Sequence, residues 1–138
     1  NRSSEKGRDI DANPAVSLLF SWLPIHRQMR IDGVAEQLDD ARSDEYFAGR
    51  PRDSQIAAWA SEQSSVIASR TELLDAVQRR TAEFEGREVP RPPNWGGYVV
   101  TPRSVEFWRG RRSRRHDRGR CSGTTEEPGG WRKERLAP

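Results

Sequence analysis

The stretch NPAVSLLFSWLPIHRQMRIDG, residues 13–33, decides the class of fold. Val16, Leu18, Phe20 and Trp22 alternate with Ser17, Leu19 and Ser21, a period of two that belongs to a β-strand. Pro24 ends that strand. A second strand is expected from about Arg27 to Asp32, with Met29 and Ile31 on one face and Gln28, Arg30 and Asp32 on the other. LPIH between them reads as the connection of a hairpin or meander, and Gly33 as a bulge or bend.

Working outward, Lys6 to Ala12 can form a short helix stopped by Asn13-Pro14. Asp39 or Asp40 can cap a helix that ends near Gly49, and a second helix begins at Pro51. The break is forced, because the residue before a proline is pushed out of the helical region. Ser69-Arg-Thr-Glu72 has the spacing of a capping box, Leu73, Leu74, Val77 and Phe84 follow on one helical face, and Gly86 is a stop. VPRPPN (89–94) is an extended connector. Beyond it, short strands are expected at Trp95 to Thr101, Ser104 to Arg109, Arg114 to Cys121 and Trp131 to Leu136, with a loop from Ser122 to Gly130. Strands, then helices, then strands give a mainly β fold with flanking helices, α+β, in which helices pack outside a barrel or sheet.

The length fits a single domain, residues 1–138. With 33% apolar residues and a mean hydropathy of −0.98, its core is lean, and a second copy of the chain is expected to complete it. The net charge of +3 is local: Arg109 to Arg120 holds seven arginines against Asp117, or +6, leaving 3 − 6 = −3 for the rest. One cysteine, Cys121, excludes an internal disulfide framework and fits a reducing, cytoplasmic location. No apolar run has the length of a membrane helix. His26, His116 and Cys121 lack metal-ligand spacing, and no nucleophile elbow or phosphate-binding Walker loop is present.

Two clusters carry chemistry. Tyr46, Arg50 and Ser54 are spaced four and four apart across the helix break, so a hydroxyl, a guanidinium and the first turn of a helix converge where a phosphate can bind. An ordinary pair of helices with surface charges accounts for the same spacing. The run RGRRSRRHDRGR (109–120) suits a phosphate backbone or, equally, a solvated arginine-rich turn; no base-stacking aromatics are interleaved with its arginines. On the expected strand, Arg114, His116 and Arg118 project from one face beside Trp108, a surface for an aromatic anion. A surface position accounts for Gln63, Ser64 and Gln28 taken singly; together with the phosphate site they resemble the polar rim of a flavin pocket.

The segments NPAVSLLFSW (13–22), RQMRIDG (27–33), YFAGRPRDSQIAAWASEQSS (46–65), VPRPPNWGGY (89–98), VEFW (105–108), RRHDR (114–118) and ERLAP (134–138) together resemble the C-terminal two-thirds of the pyridoxine (pyridoxamine) 5′-phosphate oxidase family. The resemblance implies an FMN-binding split β-barrel, incomplete here at its N-terminus, with residues 89–138 forming dimerisation and active-site strands. It implies a homodimer with interface active sites, and oxidation of pyridoxine or pyridoxamine 5′-phosphate by O₂ to pyridoxal 5′-phosphate and H₂O₂. By the same resemblance, Tyr46, Arg50 and Ser54 bind the substrate phosphate, and Arg114 and His116 contact the substrate at its reacting face. Lys6, Gln28, Gln63, Ser64, Trp108 and Arg118 hold FMN. An upstream R-x-V-L-L-K strand, which supplies further phosphate ligands in the family, is not in this sequence. Glu5 stands where an arginine is usual, and Arg109, Arg115, Gly119, Arg120 and Cys121 replace a glutamine and largely apolar residues. Arginines on a strand that alternates into a core are expected to weaken its packing. A split-barrel protein that binds flavin or pyridoxal phosphate without turnover is the alternative reading, and a basic nucleic-acid-binding module a more distant one.

Overall fold

The computed structural model describes residues 1–124 and 130–138. Among the described residues five strands, β1 (Ala15–Trp22), β2 (Arg27–Gln37), β3 (Tyr98–Arg109), β4 (Asp117–Gly123) and β5 (Trp131–Leu136), form one sheet in that order, and the α+β class is as expected. β1 (Ala15–Trp22) and β2 (Arg27–Gln37) pair antiparallel from Ala15↔Val34 to Trp22↔Arg27. They are joined by a 3₁₀ turn, Leu23–Ile25, and by His26 in the left-handed region at φ 49°. The hairpin read from LPIH is therefore present.

β2 does not stop at Asp32. Gly33 continues it, paired with Val16, and a Cβ there would lie 2.4 Å from the Thr101 carbonyl oxygen. Gly33 thus serves close approach of a neighbouring strand and makes no bulge. Similarly, the two strands expected at 95–101 and 104–109 are one, β3 (Tyr98–Arg109), which runs through Pro102. Proline removes one ladder donor but holds a φ that extended backbone tolerates.

The strand expected from Arg114 begins three residues later, as β4 (Asp117–Gly123). Arg112–Arg114 is a 3₁₀ turn with Ser113 and Arg114 at φ 56° and 58°. Arg114 and His116 therefore do not alternate with Arg118 along a strand. The turn is fastened from outside: the Gly110 N–H donates to the His26 carbonyl at 2.8 Å, and the Arg111 N–H to His116 Nδ1 at 3.1 Å. Ser122 and Gly123 belong to β4 and not to a loop, while residues 125–129 of that expected loop lie outside the described residues. β5 (Trp131–Leu136) pairs with β4.

The chain divides into two compact units, Asn1–Ala12 with Gln37–Val99, and Asn13–Glu36 with Val100–Pro138. The first holds α1 (Glu5–Ala12), α2 (Asp40–Ala48), α3 (Arg52–Ala60) and α4 (Arg70–Glu83). Asp39 caps α2 by accepting the Arg42 N–H at 2.8 Å, Gly49 closes it, and Pro51 opens α3. Ser69 accepts the Glu72 N–H at 3.1 Å, and the Glu72 carboxylate takes the Ala68 N–H at 2.8 Å, one residue before the cap. Phe47, Ile56, Phe84 and Val89 form the buried core, with Trp59, Val77 and Trp95 packed against it. Leu74, expected on the inner face of α4, is exposed; Ala76 is half-buried there instead. The second unit is the sheet. Its β1 side chains Leu18, Leu19, Phe20 and Trp22 are exposed, and Ala35 and Glu106 are buried. Among the described residues no helix is long and apolar enough to cross a membrane, and no group of three metal-ligating side chains is assembled.

Candidate functional site

In the helical unit, Tyr46 and Arg50 meet over one aromatic ring. Tyr46 stacks on Trp95 with centroids 6.0 Å apart and planes 15° apart. The Arg50 guanidinium sits 5.1 Å from the Trp95 centroid and 5.7 Å from that of Phe47. Arg50 Nη1 is buried and has no hydrogen-bond partner. A buried charged donor without an acceptor is costly. Both side chains line an open concavity of about 570 Å³. Ser54 stands half-buried on the first turn of α3, with its own N–H donating to Pro51 at 2.9 Å. Lys6 is exposed on α1. Gln63 and Ser64 lie exposed in the turn after α3, Ser64 at φ 74°, and do not line the concavity of Tyr46 and Arg50.

In the sheet unit, Gln28 and Trp108 line a cavity of about 510 Å³ whose other walls include Trp22, Ile25, Met29 and Phe107. Arg27, Arg109 and Asp117 also line it, so an amide and charged groups stand among largely aromatic and aliphatic walls, a lining that suits a flat, heteroaromatic ring. Trp108 faces Arg118 in the β3–β4 register. The His116 ring lies 4.9 Å from that of Trp108, tilted by 43°. Because His116 Nδ1 accepts the Arg111 N–H, a neutral imidazole carries its proton on Nε2 and presents a donor there. His116 and Arg118 share a second concavity, of about 500 Å³, with the terminal Leu136, Ala137 and Pro138. Arg118 Nη1 donates to the Ala137 carbonyl at 3.1 Å. Arg114 is exposed on the turn and lines neither concavity. The structure thus joins Tyr46 with Arg50, Gln28 with Trp108, and His116 with Arg118. Lys6, Gln63 and Ser64 belong to the helical unit.

Sequence reasoning missed Glu106, 8% exposed, which accepts from Arg118 Nε at 2.7 Å and from Arg30 Nη2 at 3.4 Å. The signal was the alternation in VEFW, which puts Glu106 on the Trp108 side of β3, away from Val105 and Phe107. The Arg118 hydrogen bond, outweighing desolvation, and then the charges of Arg118, Arg30 and Arg120 hold its carboxyl below the usual range. Nor do the extra arginines spoil a core. Arg120 pairs with Glu134 at 2.8 Å, and Arg115 is exposed before the strand begins. Glu106→Gln is expected to cost about 2 kcal/mol, less than a fully buried pair because both arginines keep contact with water. A depressed carboxylate stabilises fully above its unfolded pKa of about 4.3 and loses that contribution as pH falls through the folded value. The gap between wild type and variant in urea midpoint should therefore be constant near neutrality and shrink in acid; a gap that widens in acid would contradict this.

Residues 1–84 match the sequence profile described as pyridoxamine 5′-phosphate oxidase, well over half of the 138-residue chain. The chain belongs to that family. Residues 95–138 match the pyridoxine 5′-phosphate oxidase C-terminal dimerisation region. A family member from Nocardioides sp., a pyridoxine/pyridoxamine 5′-phosphate oxidase, is 52% identical over all 138 residues, which span 63% of its length. The crystal structure of PhzG from Burkholderia lata 383, in complex with tetrahydrophenazine-1-carboxylic acid, superposes with a TM-score of 0.87 at 29% identity, covering 99% of this chain and 65% of that one. A pyridoxamine 5′-phosphate oxidase-related, FMN binding protein from Nostoc punctiforme shares the fold, with a TM-score of 0.71 at 14% identity over 100% of this chain and 70% of that one. The expected fold of the pyridoxamine 5′-phosphate oxidase family is borne out.

Proposed function

We propose that the protein is an FMN-dependent pyridoxine/pyridoxamine 5′-phosphate oxidase, acting as a cytoplasmic homodimer and yielding pyridoxal 5′-phosphate and H₂O₂. The observation that carries this is the buried, unpartnered Arg50 Nη1 beside Tyr46, in a chain of a family named for phosphorylated substrates. Tyr46, Arg50 and Ser54 hold the substrate phosphate: the guanidinium fork gives two parallel donors, the hydroxyls add single ones. Gln28 and Trp108, in their apolar cavity, fit the flavin ring, with Lys6, Gln63, Ser64 and Arg118 as further FMN ligands. Bound there, FMN would supply a hydride acceptor for the substrate C4′ and a route for the electrons to O₂. Arg114 and His116 orient and polarise the substrate, His116 as an Nε2–H donor, and neither needs to carry a proton away.

The test is anaerobic mixing of the FMN-loaded protein with pyridoxine 5′-phosphate. Flavin absorbance should bleach and return when O₂ is admitted. Absence of bleaching at saturating FMN and substrate would contradict an oxidase; FMN bound tightly under those conditions would instead indicate a member that binds flavin without turnover.

A further inference from the structure

We infer that Trp95 is a positioning residue of the phosphate site, seated by Arg91, and that it orders Tyr46 and Arg50 before ligand arrives; this rests on the phosphate reading of that site. Arg91 is the fastening. Its Nη2 donates to Asp40 at 2.9 Å and its Nε to Asp44 at 2.5 Å, two carboxylates one turn apart on α2. Its Nη1 donates to the Trp95 carbonyl at 2.6 Å, and its side chain is only 12% exposed. The Trp95 N–H closes a turn onto the Pro92 carbonyl at 2.9 Å. The proline-rich connector is thereby pinned to the helix that carries Tyr46.

The indole fixed in this way touches both proposed phosphate ligands. Its edge-to-face contact with Phe47, at 5.0 Å and 72°, locks it against the core, while Tyr46 and the Arg50 guanidinium lie against it. The choice of an aromatic partner matters for Arg50. A carboxylate would hold the guanidinium equally well but would occupy its N–H fork and cancel its charge. A π face attracts the cation through its flat side and leaves every in-plane donor for the ligand. Arg50 makes no ion pair among the described residues, and its Nη1 is unpartnered, as that arrangement requires.

The experiment measures binding of pyridoxal 5′-phosphate and of unphosphorylated pyridoxal to wild type, Trp95→Leu, Trp95→Phe, Arg91→Lys and Arg50→Ala, alongside steady-state kinetics. Trp95→Leu should weaken the phosphorylated ligand about tenfold and leave pyridoxal within about twofold, since a cation–π contact of this kind is modest. Trp95→Phe should restore most of the loss, and KM should rise with kcat retained. Arg91→Lys keeps the indole but loosens its seat, and should weaken the phosphorylated ligand selectively, so it decides the matter if Trp95→Leu does not fold. Unchanged affinity in Trp95→Leu or, failing that, in Arg91→Lys, with Arg50→Ala impaired, would overturn the role of Trp95 alone. Unchanged affinity in Arg50→Ala would overturn the phosphate site itself.

Discussion

Arg50→Ala is expected to lower affinity for pyridoxal 5′-phosphate, and kcat/KM for phosphorylated substrates, about 100-fold or more. Each hydrogen bond from an ionised donor to a phosphate contributes about 1.5–3 kcal/mol, and a guanidinium can make two in parallel. The buried Nη1 has no hydrogen-bond partner to leave behind, so removing the group forfeits only modest cation–π contacts with Trp95 and Phe47. Global stability of Arg50→Ala should therefore stay close to that of wild type. Arg50→Lys keeps the charge but not the fork, and should lie between the two. Equal loss for phosphorylated and unphosphorylated ligands would mean that Arg50 shapes the protein and does not bind the phosphate.

Phe47→Ala is expected to cost about 3–5 kcal/mol of unfolding free energy. Phe47 is 1% exposed at the centre of the helical unit's core, beside Ile56, Phe84 and Val89. Its ring also braces Trp95, and its carbonyl accepts from buried Gln55 at 2.9 Å. Truncation leaves a cavity that these neighbours can only partly close. Because small domains have roughly 5–15 kcal/mol of total stability, the loss should be plain in the urea midpoint. A cost of about 1 kcal/mol or less would place the core elsewhere. Where the variant remains folded, phosphate affinity should fall as well, since Trp95 loses its edge contact.

The hairpin and the helix breaks were legible because local rules set them. Val16, Leu18, Phe20 and Trp22 alternate whatever lies beside them, and Pro51 ends a helix wherever it falls. Asp39 and Ser69 took up the capping positions their side chains favour, and Gly49 closed α2 through its backbone N–H. The start of the strand expected from Arg114, which begins at Asp117, was not legible for the converse reason. A run of arginines has no apolar member to show a period, and the hydrogen bonds that shape the turn come from His26 and His116. The supports of the site were out of sight because their partners are remote in sequence: Arg91 and Asp40 are 51 positions apart, Arg30 and Glu106 76. A motif such as WGGY shows that Trp95 is there; only the folded chain shows Tyr46, Phe47 and Arg50 around it.

The most direct measurement is the stoichiometry of turnover. FMN-loaded protein in air, given pyridoxamine 5′-phosphate, should release pyridoxal 5′-phosphate and H₂O₂ in equal amounts, with unphosphorylated pyridoxamine slower in kcat/KM by about two orders of magnitude, the share expected of the phosphate contacts. No pyridoxal 5′-phosphate at saturating FMN, or equal rates with and without the phosphate, would contradict a flavin oxidase that grips its substrate through Arg50.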